Sequence, residues 1–218
     1  PEGVAIDKPG NFWMTVQSLC EVRRYNRNFE QILSVTLVEK DCTGAGGLAV
    51  DAVGTAYAAV FTTDPATRGV YEIQPWGAFR RLPGTGGITC PNALAFDRQN
   101  GNLYVTDFVR GAIWRIPNGK PAELWIEDAS LRGTLPAPPP FPPSTYLGAN
   151  GIVFDKSRVT VNVSWTPRLV TVPVNPDGSA GTPVVLVTSP QFFAKGIPFL
   201  DGLALDVHGN FWIAAPGT

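Results

Sequence analysis

Five residues that open equivalent segments of the chain are the strongest candidates for chemistry. Each segment is a short apolar run that ends in aspartate, and its opening residue lies five positions before that aspartate. The opening residues are Glu2, Gly46, Asn92, Asn150 and Asp201. A purely structural repeat has no need for two carboxylates and two carboxamides at one equivalent position, whereas a cation site uses such oxygen donors. We therefore predict that the four polar members bind one divalent cation.

The chemistry of the donor set favours calcium as that cation. Carboxylate and carboxamide oxygens suit Ca²⁺ and leave positions for water or substrate. Mg²⁺ and Mn²⁺ stay open because oxygen ligands do not separate these ions, and Zn²⁺ stays open although histidine and cysteine are missing from the set. An ion bound there would polarise the carbonyl group of a substrate. Asp201 is the predicted general base, because its short side chain can reach both metal and water, and Glu2 is predicted to be a plain ligand.

The elements that must position these residues are repeated units of short strands. The closing aspartates stand at positions 7, 51, 97, 155 and 206, and a period of about forty to fifty residues is typical of propeller blades. After each aspartate come a turn and an aromatic or apolar second strand, and in the first four units an alternating third strand follows. The third strands are predicted at 21–25, 69–73, 112–116 and 168–172, and the outer strands at 31–35, 79–82, 122–126 and 184–187.

These units predict an all-β fold, a β-propeller of four-stranded antiparallel blades. The 23 glycines and 21 prolines agree with many turns and little helix. We interpret residues 1–218 as a single propeller domain of about four and a half blades, incomplete in this chain and part of a six-bladed ring. Inner strands of a propeller lie side by side around a channel, so their opening residues are expected to meet at one mouth.

Other polar residues in the repeats are assigned structural roles. The closing aspartates are predicted to accept backbone N–H groups in turns. The single histidine, His208, falls in a hairpin turn, which argues against a Ser-His-Asp site. Asn162 begins a glycosylation sequon inside a predicted strand, and we interpret it as chance. A proline-rich segment at 135–143 is either a surface loop or a wall of the site.

Three cysteines carry the information on redox compartment. Cys20, Cys42 and Cys90 show no zinc-site spacing. Their odd number favours buried or free thiols, with a Cys20–Cys42 disulfide as the alternative. The compartment is left open, with an extracellular or periplasmic location favoured over a cytoplasmic one.

Charge and hydropathy restrict the partners. The net charge of −1 gives no electrostatic footprint for nucleic acid. No apolar run approaches the length of about 20 residues that crosses a membrane. The expected partner is a small molecule, and the oligomeric state is left open.

Three of the repeated runs resemble the gluconolactonase, senescence-marker-protein and luciferin-regenerating-enzyme family. These runs are 91–97, 149–155 and 201–206, and the stretch 172–181 is similar as well. The resemblance implies six blades, one divalent metal in the channel and hydrolysis of a lactone or related ester. It also implies that Glu2, Asn150, Asp201 and a nearby Asn92 match the family's metal ligands, with Asp201 as the base.

The sequence departs from this family at Cys90. Members that act on sugar lactones have an arginine two residues before the residue matching Asn92, and here Cys90 takes its place. Asn92 and Cys90 are therefore the predicted substrate-binding residues, and a less polar lactone or ester is favoured. Two alternatives remain: a non-catalytic binding module with a structural calcium ion, and a metal-free propeller similar to strictosidine synthase.

Overall fold

The computed structural model describes residues 2–134, 136, 145–197 and 199–216. Within these ranges the chain forms four antiparallel sheets of four strands and one sheet of two strands. In every sheet the strands follow one another in sequence order, so each sheet is one consecutive stretch of chain. We call these sheets blades one to five.

The strand boundaries agree closely with those expected from the repeats. Blade one contains β1 (Val4–Ile6), β2 (Phe12–Val16), β3 (Glu21–Tyr25) and β4 (Gln31–Thr36), and blade two contains β5 (Cys42–Val50), β6 (Ala56–Thr62), β7 (Gly69–Ile73) and β8 (Phe79–Arg81). Blade three contains β9 (Pro91–Asp97), β10 (Asn102–Asp107), β11 (Ala112–Ile116) and β12 (Glu123–Glu127). Blade four contains β13 (Ala149–Asp155), β14 (Arg158–Val163), β15 (Arg168–Pro173) and β16 (Val184–Val187), and blade five contains β17 (Leu203–Leu205) and β18 (Phe211–Ile213).

The hydrophobic core lies between consecutive blades. Trp13 of blade one and Ile73 of blade two belong to one buried cluster, and both are fully buried. A second cluster joins blades two and three, and a third, which contains Tyr104, joins blades three and four. The alternating strands thus bury side chains on both faces of a blade, and each blade depends on its neighbours for its core.

Short helical segments complete the chain. The helix α1 (Ser189–Phe193) follows the outer strand of blade four and has a capping box in which Thr188 and Gln191 take part. No helix in the described ranges is long and apolar enough to cross a membrane.

Small residues at the second position of each repeat allow the inner strands to approach one another. These residues are Gly3, Gly47, Ala93, Gly151 and Gly202. A Cβ atom on Gly3 would lie 2.6 Å from the backbone nitrogen of Leu48, and one on Gly151 would lie 2.5 Å from that of Leu203. Neighbouring inner strands therefore touch through their backbones, which brings their opening residues together.

The closing aspartates form turns as predicted in four of the five units. Asp51 Oδ1, for example, accepts the N–H groups of Val53 and Thr55 at 2.9 Å each. Asp7, Asp97 and Asp206 accept turn N–H groups in the same way. Asp155 makes no such bond among the described residues, and its turn instead uses Lys156 and Ser157 with φ values of 46° and 60°.

Cys20 and Cys42 form a disulfide, so the prediction of free thiols is wrong for this pair. Cys20 precedes β3 and Cys42 begins β5, so the bond joins blade one to blade two. The two Cα atoms are 5.7 Å apart, a separation that a disulfide requires. The odd number of cysteines suggested otherwise, because counting residues carries no information on which side chains meet. Cys90 is free.

This disulfide gives a first testable prediction. Denatured but unreduced protein should react with iodoacetamide at one cysteine, Cys90, and reduced protein at all three. Because the bond closes a loop with a sequence separation of 22 residues, replacing Cys20 and Cys42 by serine should lower the free energy of unfolding by about 3 kcal/mol. Mass spectrometry and urea denaturation measure the two effects. Three labelled cysteines without reduction would contradict the assignment.

Candidate functional site

The four polar opening residues meet in one cavity. Glu2, Asn92, Asn150 and Asp201 all line a cavity of about 710 Å³. The same four residues also line a smaller channel of about 260 Å³ between the inner strands. They therefore lie where the cavity narrows into the channel, and we call them the polar floor. Gly46 adds no side chain to the polar floor, and its position has no room for one, because a Cβ atom there would lie 2.8 Å from the carbonyl oxygen of Asn92.

Hydrogen bonds fix the orientation of the Asn150 carboxamide. The side chain is buried, and its Nδ2 donates to Ser164 Oγ at 2.8 Å and to Asp201 Oδ1 at 3.1 Å. Ser164 Oγ in turn donates to the carbonyl oxygen of Leu200 at 2.6 Å. Since that carbonyl can only accept, the hydroxyl must accept from Asn150, which identifies the atom facing it as nitrogen. No described residue donates to Asn150 Oδ1, so this oxygen is available to a ligand.

The Glu2 carboxyl group lies in the field of the Asp201 carboxylate. Partial enclosure of its carboxyl group raises the pKa of Glu2, and the negative charge of Asp201 raises it further. The residue as a whole remains exposed. Two carboxylates that repel each other beside an available carboxamide oxygen form a donor set that fits a hard cation.

The carboxamides are essential to any such cation site. No group of three or more His, Cys, Asp and Glu side chains in the described part of the chain is arranged to hold a metal ion. A site on the polar floor would therefore combine two carboxylates with the oxygens of Asn92 and Asn150. That composition is the one predicted from the repeats.

Second-strand side chains of blades one, three and four bind the opening residue of the following blade. Asn162 of blade four accepts the N–H of Gly151 at 3.0 Å and donates to the carbonyl oxygen of Asp201 at 2.6 Å. Thr15 and Thr106 do the same in blades one and three, donating to the carbonyl oxygens of Gly46 at 2.7 Å and Asn150 at 2.8 Å. We call these three residues the blade bridges, and they fix the backbone beneath the polar floor.

One of the blade bridges, Asn162, is also the asparagine of the glycosylation sequon. The Asn162 side chain is fully buried and has both ends hydrogen-bonded. It is therefore inaccessible to glycosylation in the folded protein, in agreement with the interpretation of the sequon as chance.

The walls of the cavity divide into two arcs. From blade one to the start of blade three the wall is mostly polar; this polar wall comprises Gln17, Thr43, Thr62, Thr63 and Thr89, with Phe61 as its aromatic member. From there to blade five it is apolar; this apolar wall comprises Cys90, Phe108, Val109, Leu147, Trp165 and Phe199.

Most wall residues were not among the sequence-predicted site residues, although their positions follow a rule. They come either after the end of a second strand, as Trp165 does, or just before an opening residue, as Phe199 does. In an antiparallel blade the second strand returns to the end where the first began, so both positions lie at the mouth. Counting from the repeats would have identified them.

Cys90, one of the two predicted substrate-binding residues, lines the cavity as part of the apolar wall. It packs against the cluster formed by Phe108 and Leu147. Burial, with a smaller effect of the Asp107 carboxylate, raises the pKa of the Cys90 thiol to about 12. The thiol is therefore neutral at physiological pH and unsuited to act as a nucleophile.

The single histidine lies away from the polar floor. His208 is exposed in the turn between β17 and β18, and the described cavity lining contains no histidine. Apart from Pro136, the proline-rich segment at 135–143 lies outside the described residues.

Comparison with known proteins identifies the fold and leaves the family open. No family model matches the sequence, and no curated protein matches it. The chain is similar to the crystal structure of virginiamycin B lyase from Staphylococcus aureus, with a TM-score of 0.66 and 16% identity over 97% of this chain and 62% of that one. A catalytically inactive histidine-to-alanine variant of that lyase with quinupristin gives a TM-score of 0.66 and 15% identity, over 98% and 62% of the two chains.

A structure of a nidogen/laminin complex is also similar, with a TM-score of 0.63 and 15% identity over 91% of this chain and 67% of the other. The chain spans about 62% of the length of the lyase chains. Together with the four-stranded sheets, these likenesses confirm the predicted fold, a β-propeller of the six-bladed type, of which the described residues form four blades and the inner pair of a fifth.

Proposed function

We propose that the protein is a metal-dependent hydrolase of a lactone or related ester, similar in its site to the gluconolactonase family. The observation that carries the proposal is the arrangement around Asn150. Its amide nitrogen is fixed by Ser164 and Asp201, and its oxygen is available in the cavity that Glu2 also lines. This arrangement supports a site for one divalent cation, with Ca²⁺ preferred.

The residues of the polar floor would have separate roles in binding the ion, moving a proton and contacting the substrate. Glu2, Asp201, Asn150 and Asn92 would hold the ion, which when bound would polarise the substrate carbonyl. Asp201 would act as general base and take a proton from the attacking water. The same carboxyl group would return this proton to the alkoxide oxygen that leaves when the ester C–O bond breaks. Asn92 would also contact the substrate.

Chelation tests this proposal directly. Hydrolysis of a panel of neutral lactones should stop in EDTA and return when Ca²⁺ is restored, because the carbonyl then regains its polarising ion. Calorimetric titration of the chelated protein should show one calcium site. Activity that is unaffected by EDTA, or a protein that binds no divalent cation, would overturn the proposal.

A second prediction concerns the orientation of Asn150. Replacing Ser164 by alanine removes the shorter of the two hydrogen bonds of Asn150 Nδ2 and the donor to Leu200, so only the bond to Asp201 still orients the carboxamide. Calcium affinity should fall about tenfold or more, the usual effect of losing a residue that orients a metal ligand. Calorimetric titration measures it, and Ser34→Ala in the outer strand β4 is the matched control. Equal affinities of the two variants would show that Ser164 does not orient the ligand.

A lyase is the second candidate function, favoured by the likeness to virginiamycin B lyase. That lyase is inactive in its histidine-to-alanine variant. The single histidine of this chain, His208, is exposed in a turn outside the described cavity lining. Product analysis separates the two candidates, because hydrolysis incorporates oxygen from ¹⁸O-labelled water into the product acid and elimination does not.

A binding module with a structural calcium is a third candidate, supported by the likeness to the nidogen/laminin complex. It predicts calcium-dependent melting without turnover on any ester. We also infer an extracellular or periplasmic location, which the Cys20–Cys42 disulfide supports because such bonds persist in oxidising compartments.

A further inference from the structure

We propose that the apolar wall is a subsite for an aromatic or branched apolar group of an uncharged substrate. The inference rests on the proposed function for the ester or lactone group of that substrate. The subsite itself is argued from the wall, the charges and the facing polar residues.

The apolar wall is a built surface with fixed members. Phe108 and Leu147 are only 8% and 2% exposed, and Cys90, Val109 and Trp165 pack against them. Trp165 and Phe199 meet edge to face, with ring centroids 5.2 Å apart at an angle of 67°. The indole Nε1 of Trp165 donates to the carbonyl oxygen of Pro136 at 2.6 Å, which holds the ring in place. A ligand ring would therefore meet a preorganised aromatic surface.

The charges of the cavity exclude anionic ligands. Among the described residues that line it, the only charged side chains are Glu2 and Asp201, and no lysine, arginine or histidine is present. A carboxylate or phosphate group on a ligand would find no basic partner on the walls, and the two carboxylates of the metal-free floor would repel it. Cys90 adds no basic group, because its side chain packs in the apolar cluster.

The polar wall indicates what the rest of the substrate presents. The side chains of Gln17, Thr43, Thr63 and Thr89 make no hydrogen bond to any described residue, although they line the cavity. Such hydroxyl and amide groups can pair with neutral carbonyl or hydroxyl groups. The cavity thus fits an uncharged molecule with one apolar flank and one hydrogen-bonding flank.

A pair of lactones tests the subsite without turnover. In EDTA, γ-phenyl-γ-butyrolactone should bind at least about tenfold more tightly than γ-butyrolactone, because its ring is transferred from water to the apolar wall. The anion 4-phenylbutyrate, which has the ring and a negative charge, should bind at least about tenfold more weakly than the phenyl lactone. Calorimetric titration of the whole protein measures all three.

Variants of the wall locate the binding. Trp165→Leu should remove most of the advantage of the phenyl lactone and leave γ-butyrolactone binding unchanged, and Phe199→Leu gives a second test if the first variant does not fold. Trp76→Leu is the matched control, since Trp76 is 73% exposed and outside the cavity lining.

The outcomes separate the subsite from the proposed reaction. Equal affinities for the two lactones, tight binding of the anion, or an advantage that survives both wall variants would overturn the subsite. Tight binding that depends on the wall, without hydrolysis after calcium is added, would support the subsite and reject the proposed reaction.

Discussion

Replacement of Asp201 by asparagine is expected to reduce hydrolysis by about a thousandfold or more at saturating calcium. An asparagine keeps the size of the side chain. Its carbonyl oxygen can still accept the hydrogen bond from Asn150 Nδ2, which is 3.1 Å long in the parent protein. It cannot take up a proton, however, and the loss of a general base alone costs about 10²- to 10⁴-fold. It also removes one of the two negative charges that would hold the cation. Initial rates on the best lactone of the panel measure the effect.

Control variants show whether the effect belongs to the carboxylate of Asp201. Asp155→Asn is the matched control, because Asp155 closes a repeat, is partly exposed and accepts no turn hydrogen bond among the described residues. It should retain the activity of the parent protein. Asn92→Ala should mainly raise KM, as expected of a residue that contacts substrate. If Asp201→Asn kept more than about a tenth of the rate, Asp201 would not be the base.

Replacement of Gly151 by alanine is expected to destabilise the protein severely. The added Cβ atom would lie 2.5 Å from the nitrogen of Leu203 and 2.6 Å from the carbonyl oxygen of Asp201. Both are backbone atoms of the neighbouring blade, so no side-chain rotation can relieve the contact. Overpacking of this kind costs about 3 kcal/mol or more. Urea denaturation measures the loss, and calcium titration should show a weakened site because Asp201 has to move.

The equivalent glycine of blade five provides a control for the Gly151→Ala variant. Gly202 occupies the same position in blade five, but among the described residues a Cβ atom there would meet only the Cβ of Ala214, at the ordinary distance of 3.8 Å. Gly202→Ala should therefore change the free energy of unfolding by less than about 0.5 kcal/mol. Similar losses in both variants would show that glycine is needed for its backbone freedom and not for the close approach of blades four and five.

The sequence predicts the blades well because their information is local. Alternating polar and apolar residues place the third strands, and the expected ranges 21–25, 69–73 and 112–116 are those of β3, β7 and β11. Asparagine and glycine in the turns mark where each hairpin reverses. The convergence of the polar floor follows from the same repeats, because equivalent positions of a propeller meet at one end.

The parts that the sequence did not reveal depend on contacts between distant segments. The Cys20–Cys42 disulfide and the pairing of Trp165 with Phe199 join residues whose proximity only packing establishes. Asn162 illustrates the difficulty best. Its sequon draws attention to glycosylation, whereas its actual role, a hydrogen bond to the carbonyl oxygen of Asp201, becomes visible only when blades four and five are side by side.

The polar floor draws Glu2 from the beginning of the described chain and Asp201 from near its end. An ion bound between them would act as a clasp between the first and fifth blades, in addition to any part in chemistry. At a calcium concentration a hundred times its dissociation constant, such a clasp would add about 2.7 kcal/mol to the free energy of unfolding. Loss of calcium would then loosen the first and fifth blades before the others, and a protease would cut there earliest.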